Sequence, residues 1–398
     1  MNQILTDSTL KFEKIDSLRP QKASIYWVKF NVYSPFEYSQ KSVVRFFPIL
    51  DNTLYYYNYE TQQWVSDRTG LLVENQRHQF LVQPFILQAK KINILYFKTD
   101  ISALSPYQYG LLPAIAIDKE EDLIANKKNE DIITLITVCV LLAFLLFNGY
   151  IYFVFKDKTY FYYLITQIGG IVYILAFRHY FDSLITSRFY KVKSDATGGI
   201  WFSGLNEILV HISMAVILWA LISLTRLYLN TRASMPFYDK ILRFLSWINV
   251  GWVALVTVLE VCTPIFTEQF ANYIHNPIAA LIAGTILWVS FKSYRQKFRL
   301  ARYFLLGNLI PLCIILFVGV YYILTPYILP YSGHIAVIAQ AICLALALVE
   351  RLLLIRDELK NKELEAQKLT DENLRYKADL DHFVELLRDR TETLEKLK

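Results

Sequence analysis

Between residues 131 and 355 the chain carries seven long apolar blocks separated by short polar segments. A helix rises about 1.5 Å per residue, so about 20 residues cross a hydrocarbon layer about 30 Å thick. The blocks at residues 131–155, 160–181, 205–229, 241–261, 274–291, 303–324 and 335–355 have lengths suited to spanning. The fifth is the shortest and holds Pro277 near its start. Hydrophobic residues make up 55% of the chain, and they are gathered into blocks rather than set at amphipathic spacing. That pattern favours membrane spans over a large soluble core.

Loop charge sets the expected orientation. The connections after blocks one, three and five carry Lys156, Lys158, Arg226, Arg232, Lys240 and Arg243, then five more basic residues from Lys292 to Arg302. Those after blocks two, four and six carry only Arg188, Lys191 and Lys193. By the positive-inside rule the first set is cytoplasmic. Three domains are therefore expected: an extracytoplasmic domain at 1–128, a seven-helix domain at 129–355 and a cytoplasmic rod at 356–398. Membrane anchoring accounts for the net charge of +6. No clustered basic soluble face points to nucleic acid. The four cysteines lie in or beside the blocks, so neither a disulfide framework nor a zinc spacing is expected. No apolar run of the signal-peptide kind is legible in residues 1–20, although an exported domain calls for an export signal.

Residues 24–117 read as about seven short strands. In Ser24 to Val32 the residues Tyr26, Val28, Phe30 and Val32 fall on one face. Further strands are expected at 43–49, 53–59, 78–86, 91–99 and 109–117, with turns at Leu50-Asp51-Asn52 and Asp67-Arg68-Thr69-Gly70. This spacing predicts an all-β antiparallel sandwich, jelly-roll-like, joined to the first span by a charged connector at 119–129.

Four segments carry a resemblance. Tyr26-Trp27-Val28-Lys29-Phe30, Arg45-Phe46-Phe47-Pro48-Ile49-Leu50-Asp51 and Leu54-Tyr55-Tyr56-Tyr57 are similar to the exported sensor domain of one bacterial receptor family. Its members are the seven-transmembrane receptors with diverse intracellular signalling modules. The run from Asn148 to Tyr163, with its Lys156-Asp157-Lys158 turn between aromatic helix ends, resembles that family's first cytoplasmic turn. The resemblance covers about residues 20–355. It implies a β-sandwich similar to carbohydrate-binding modules and, by analogy alone, a sugar-type ligand.

Trp27, Tyr55, Tyr57 and Trp64 are the candidate ligand contacts of this domain, since such rings stack on pyranose faces. The alternative is that the aromatics pack within the sandwich, although Trp27 lies off the apolar face. In the bundle, ionisable residues are costly in lipid and are candidates by default. Arg178, His179 and Asp182 end the second block, Glu207 and His211 share a helix face in the third, Glu260 ends the fourth and His275 and His334 open the fifth and seventh. All are expected at the outer depth, as an interfacial polar network, a ligand pocket or, with the histidines, a metal site. No metal site is assigned, because neither HxxxH nor CxxC spacing occurs. No P-loop, dinucleotide turn or nucleophile elbow is present, so neither an enzyme nor a cofactor is expected.

The last block runs without a helix breaker into a heptad pattern. Leu352, Leu359, Ala366, Asn373, Leu380, Leu387 and Leu394 fall at a, while Ile355, Leu369 and Tyr376 fall at d. Lys362 and Arg390 at d loosen the seam locally. The expected assembly is a homodimer through a parallel coiled coil, with Asn373 favouring one register. The whole reads as a bacterial inner-membrane receptor with three classes of partner: lipid, an unidentified extracytoplasmic ligand and a cytoplasmic signalling partner. The alternatives are the sensor half of a histidine kinase or diguanylate cyclase, and a transporter or accessory protein.

Overall fold

The computed structural model describes residues 11–73, 81–106, 109–181, 190–194, 200–263, 267–298, 300–325 and 331–396. Among the described residues, seven strands build the N-terminal domain: β1 (Ile25–Tyr33), β2 (Gln40–Phe47), β3 (Asp51–Asn58), β4 (Gln63–Thr69), β5 (Gln83–Leu87), β6 (Ile92–Asp100) and β7 (Ala114–Lys119). They form two antiparallel sheets, ordered β1-β6-β3-β4 and β5-β2-β7. The period-two alternation of β1 and β3 turns Val28 and Leu54 inward, with Tyr26, Phe30 and Tyr56 packed beside them. From the facing sheet come Val44, Phe46, Phe85 and Leu87, so one core lies between the two sheets. Phe46 stacks on Phe97 across that core with ring centroids 4.7 Å apart.

Expected turn residues are strand here, and the connector takes a definite form. Asp67, Arg68 and Thr69 are not a turn but the end of β4, because their backbone pairs with β3 and Arg68 forms a bidentate ion pair with Asp51. The turn is made at Gly70, whose φ is +153° and whose added Cβ would sit 1.9 Å from the Leu50 carbonyl oxygen. Gly70→Ala should therefore destabilise the domain by more than about 1 kcal/mol. A lowered unfolding midpoint of the detergent-solubilised chain would show it, and an unchanged midpoint would refute it. The expected connector at 119–129 is helical, since Glu120, Glu121 and Asp122 complement the dipole of a first turn that no Gly or Pro interrupts. The part of the expected 78–86 strand that precedes residue 81 lies outside the described residues.

Among the described residues, seven helices are long and apolar enough to cross a membrane. Span one is Glu120–Phe155, span two Lys158–Phe177, span three Leu205–Tyr228 and span four Pro236–Cys262. Span five is Glu268–Arg295, span six Ala301–Leu324, and span seven is part of one 65-residue helix, Ser332–Lys396. Spans two and three pack against each other, with a close approach at Gly169, where a Cβ would meet the Ile217 side chain at 2.8 Å. The chain alternates between two ends of the bundle, one facing the two sheets and one facing the rod.

Between spans two and three lies an element not anticipated from the sequence. Strands β8 (Tyr190–Ser194) and β9 (Ile200–Gly204) form an antiparallel hairpin. Val192 enters the core of the N-terminal domain, in the cluster that holds Leu18, Ile101, Leu104 and Leu111, and Ile200 packs against it. At its other end β9 passes directly into span three, where Glu207 accepts a hydrogen bond at 2.8 Å from the Gly204 amide.

Candidate functional site

The candidate residues form three groups, and the ring and polar candidates that the structure describes fall in the first two. The first group lies on the outward face of the β1-β6-β3-β4 sheet. Trp27 stacks on Tyr55 at 5.2 Å, Tyr57 meets Trp64 edge-on at 5.7 Å, and Trp64 lies 5.8 Å from Tyr96. The odd positions of β3 point away from the core, so these four candidates share one face. Tyr96 joins them as a member the sequence reading missed. It is only 8% exposed because Phe12, Trp64 and Lys29 cover it. Its signal was present in β6, where Leu95 and Phe97 face inward and leave Tyr96 outward.

The second group lies at the end of the bundle that faces the sheets. The polar residues there do not converge on one point. Arg178 reaches Glu130 of span one at 3.4 Å, and its guanidinium lies 5.8 Å from the Tyr331 ring. His334 of span seven meets Thr134 of span one at 3.2 Å. Around the hairpin, His179 lies 3.9 Å from Glu207, and the rings of His211 and His275 are 5.9 Å apart. Lys191 of β8 donates to the Glu260 and Thr263 carbonyl oxygens, while the Glu260 carboxylate accepts from the Thr267 amide at 2.8 Å. Asp182 lies outside the described residues. Among the described residues no three His, Cys, Asp or Glu side chains come together as a metal ligand set. Of the three alternatives open for these residues, an interfacial polar network, a ligand pocket or a metal site, the ties between helix ends resemble the first, since the groups meet partners on neighbouring elements.

The third group, at the rod end, was not anticipated at all. Tyr160 of span two donates to the Leu348 carbonyl at 2.8 Å, and Tyr163 to that of Ala341 at 3.0 Å. Tyr228 of span three donates to the Ala347 carbonyl at 2.7 Å. These three tyrosines are at most 1% exposed. Just beyond them Arg351 donates to Asp157 at 2.7 Å, and Asp157 also caps span two by accepting from the Thr159 amide at 2.8 Å. Burial pushes the Asp157 carboxyl up, but the Thr159 amide and the Arg351 guanidinium outweigh it and hold the group below the usual carboxylate value. Sequence signals existed in the Lys156-Asp157-Lys158 turn and in Arg351, a lone cation at the end of an apolar block.

A two-sheet domain and seven apolar helices, the last of which runs on out of the bundle, define a multi-pass membrane protein of sensory layout. A model of the family described as 7TM diverse intracellular signalling matches residues 130–351, more than half of the chain. The chain belongs to this family, and its N-terminal sheets and seven helices fit a receptor of that kind. None of the curated proteins compared with it matches.

Proposed function

We propose that the protein is a dimeric bacterial inner-membrane receptor, with its N-terminal domain outside the cytoplasm and its rod within it. The observation that carries this reading is the single helix Ser332–Lys396, which begins inside the bundle and continues far beyond it. Its heptad positions Leu359, Leu369, Tyr376, Leu380, Leu387 and Leu394 are all exposed in one chain. A row of apolar side chains at 3.5-residue spacing is what a second copy would bury. The excess of Lys and Arg on the loops at the rod end supports the orientation.

Ligand is taken up by the outward aromatic face of the β1-β6-β3-β4 sheet. Ring faces at Trp27, Tyr55, Tyr57 and Trp64, edged by the Arg68–Asp51 pair, suit a sugar or another small molecule with a flat apolar face. The polar ties near the hairpin then carry the change to the bundle. Two measurements on the full chain in nanodiscs test this reading. Tryptophan fluorescence should respond to one or more of a panel of soluble oligosaccharides, and lose that response in Trp64→Ala. No response to any panel member at millimolar concentration would remove the sugar class. In the rod, a cysteine at Leu380 should form a disulfide between copies far faster than one at His382, which lies two positions off the seam. Equal rates would remove the coiled-coil dimer. A solute flux in proteoliposomes would favour transport instead.

A further inference from the structure

We propose that Tyr160, Tyr228 and the Asp157–Arg351 pair form a releasable clasp that holds span seven in one rotational setting, and that its opening turns the rod. The argument begins with what the tyrosines grip. Ala347 and Leu348 are consecutive in one helix, so their carbonyls lie about 100° apart around its axis. Span three holds the first at 2.7 Å and span two the second at 2.8 Å. The helix is thus bracketed from two sides, which fixes rotation in a way that a single contact cannot. Tyr163, on the Ala341 carbonyl at 3.0 Å, repeats the grip of span two two turns away.

These bonds are suited to release. Each carbonyl in the middle of a helix already accepts from the backbone N–H four residues further on, so the tyrosine occupies a second lone pair. Losing the tyrosine leaves the helix of span seven intact. The Arg351–Asp157 pair sits at the rod-end rim, with side chains 23% and 16% exposed, where water can take over both groups. Arg351 also lies 5.9 Å from the Tyr228 ring, which links the ion pair to the span-three side of the grip. A small turn of span seven breaks all of these contacts together, whereas none breaks if the helix merely flexes farther along. Because the helix is continuous to Lys396, the same turn re-aims Leu352 and Leu359. The rod's seam is therefore coupled to the clasp's state.

The test uses the full chain in nanodiscs, with its four cysteines replaced by alanine and spin labels at Lys158→Cys and Arg356→Cys. Dilution with unlabelled chain restricts the measured distances to those within one copy. The parent should give one dominant distance. Tyr160→Phe combined with Tyr228→Phe, which removes only the hydroxyls, should raise a second distance population about fivefold or more. Asp157→Asn, which keeps an acceptor for the Thr159 amide, should raise the same population. An unchanged distribution in both variants overturns the clasp. Loss of helical circular dichroism in the double variant overturns it too, since a clasp that opens leaves each helix whole. The measurement needs neither ligand nor output module, so it succeeds or fails apart from the receptor reading.

Discussion

Inserting one residue after Leu359 should abolish the ligand response of a chimera in which the rod drives a reporter output domain, and inserting seven should restore most of it. The expectation follows from the unbroken helix Ser332–Lys396 and from the heptad positions along it. One added residue turns everything beyond it by about 100°, which moves Leu369, Tyr376 and Leu380 off the face set by Leu352. Seven added residues return that face to within about 20° of its first direction. The difference between the two insertions is what matters. A rod that only tethers an output domain would tolerate either one. Equal responses from the two would therefore sink the idea that angular position along the rod carries the signal.

Val192→Asp should have the second largest effect. Val192 is 9% exposed and sits among Leu18, Ile101, Leu104 and Leu111, although it belongs to the loop between two membrane spans. A carboxylate placed there finds an apolar cluster and stays charged only by leaving it. The substitution should cost about 3 kcal/mol, and that cost falls on the attachment of the hairpin to the two-sheet domain. Protease accessibility of the 190–204 segment should rise many-fold, and the ligand response should fall with it. Val192→Ala, which trims the same contact without adding charge, should give a smaller change of the same kind. Unaltered protection in Val192→Asp would show that the hairpin does not need the core it enters.

The membrane half of this fold was legible because lipid imposes one rule on every span, and the seven apolar blocks obey it. The strands of the N-terminal domain were legible where alternation was clean, as in Tyr26 to Val32. They were missed where polar residues pair on a sheet face. Asp67 and Arg68 look like turn residues, yet a partner on β3 and an ion pair to Asp51 place them in a strand. The hairpin was overlooked for a different reason. Tyr190 and Val192 alternate, as do Ile200 and Phe202, but so short a pattern between two spans reads as a loop until its core neighbours are known. Among the site residues, Trp27, Tyr55, Tyr57 and Trp64 do share a face. The polar residues of the bundle were grouped by depth alone, and depth does not say which helix a side chain will meet. The tyrosines at the rod end gave no warning, because their acceptors are backbone carbonyls, and a backbone leaves no mark on sequence.

Val192 and Ile200 also bear on how the chain is assembled. The N-terminal domain closes part of its interior with residues synthesised after the second membrane span. Residues 11–119 alone lack Val192 and Ile200, which belong to that cluster or pack against it. The core is therefore complete only once the chain has been made through the second span and up to the start of the third. Synthesis of the first helices and completion of that core thus become a single ordered sequence, in which the first part made is among the last to be sealed.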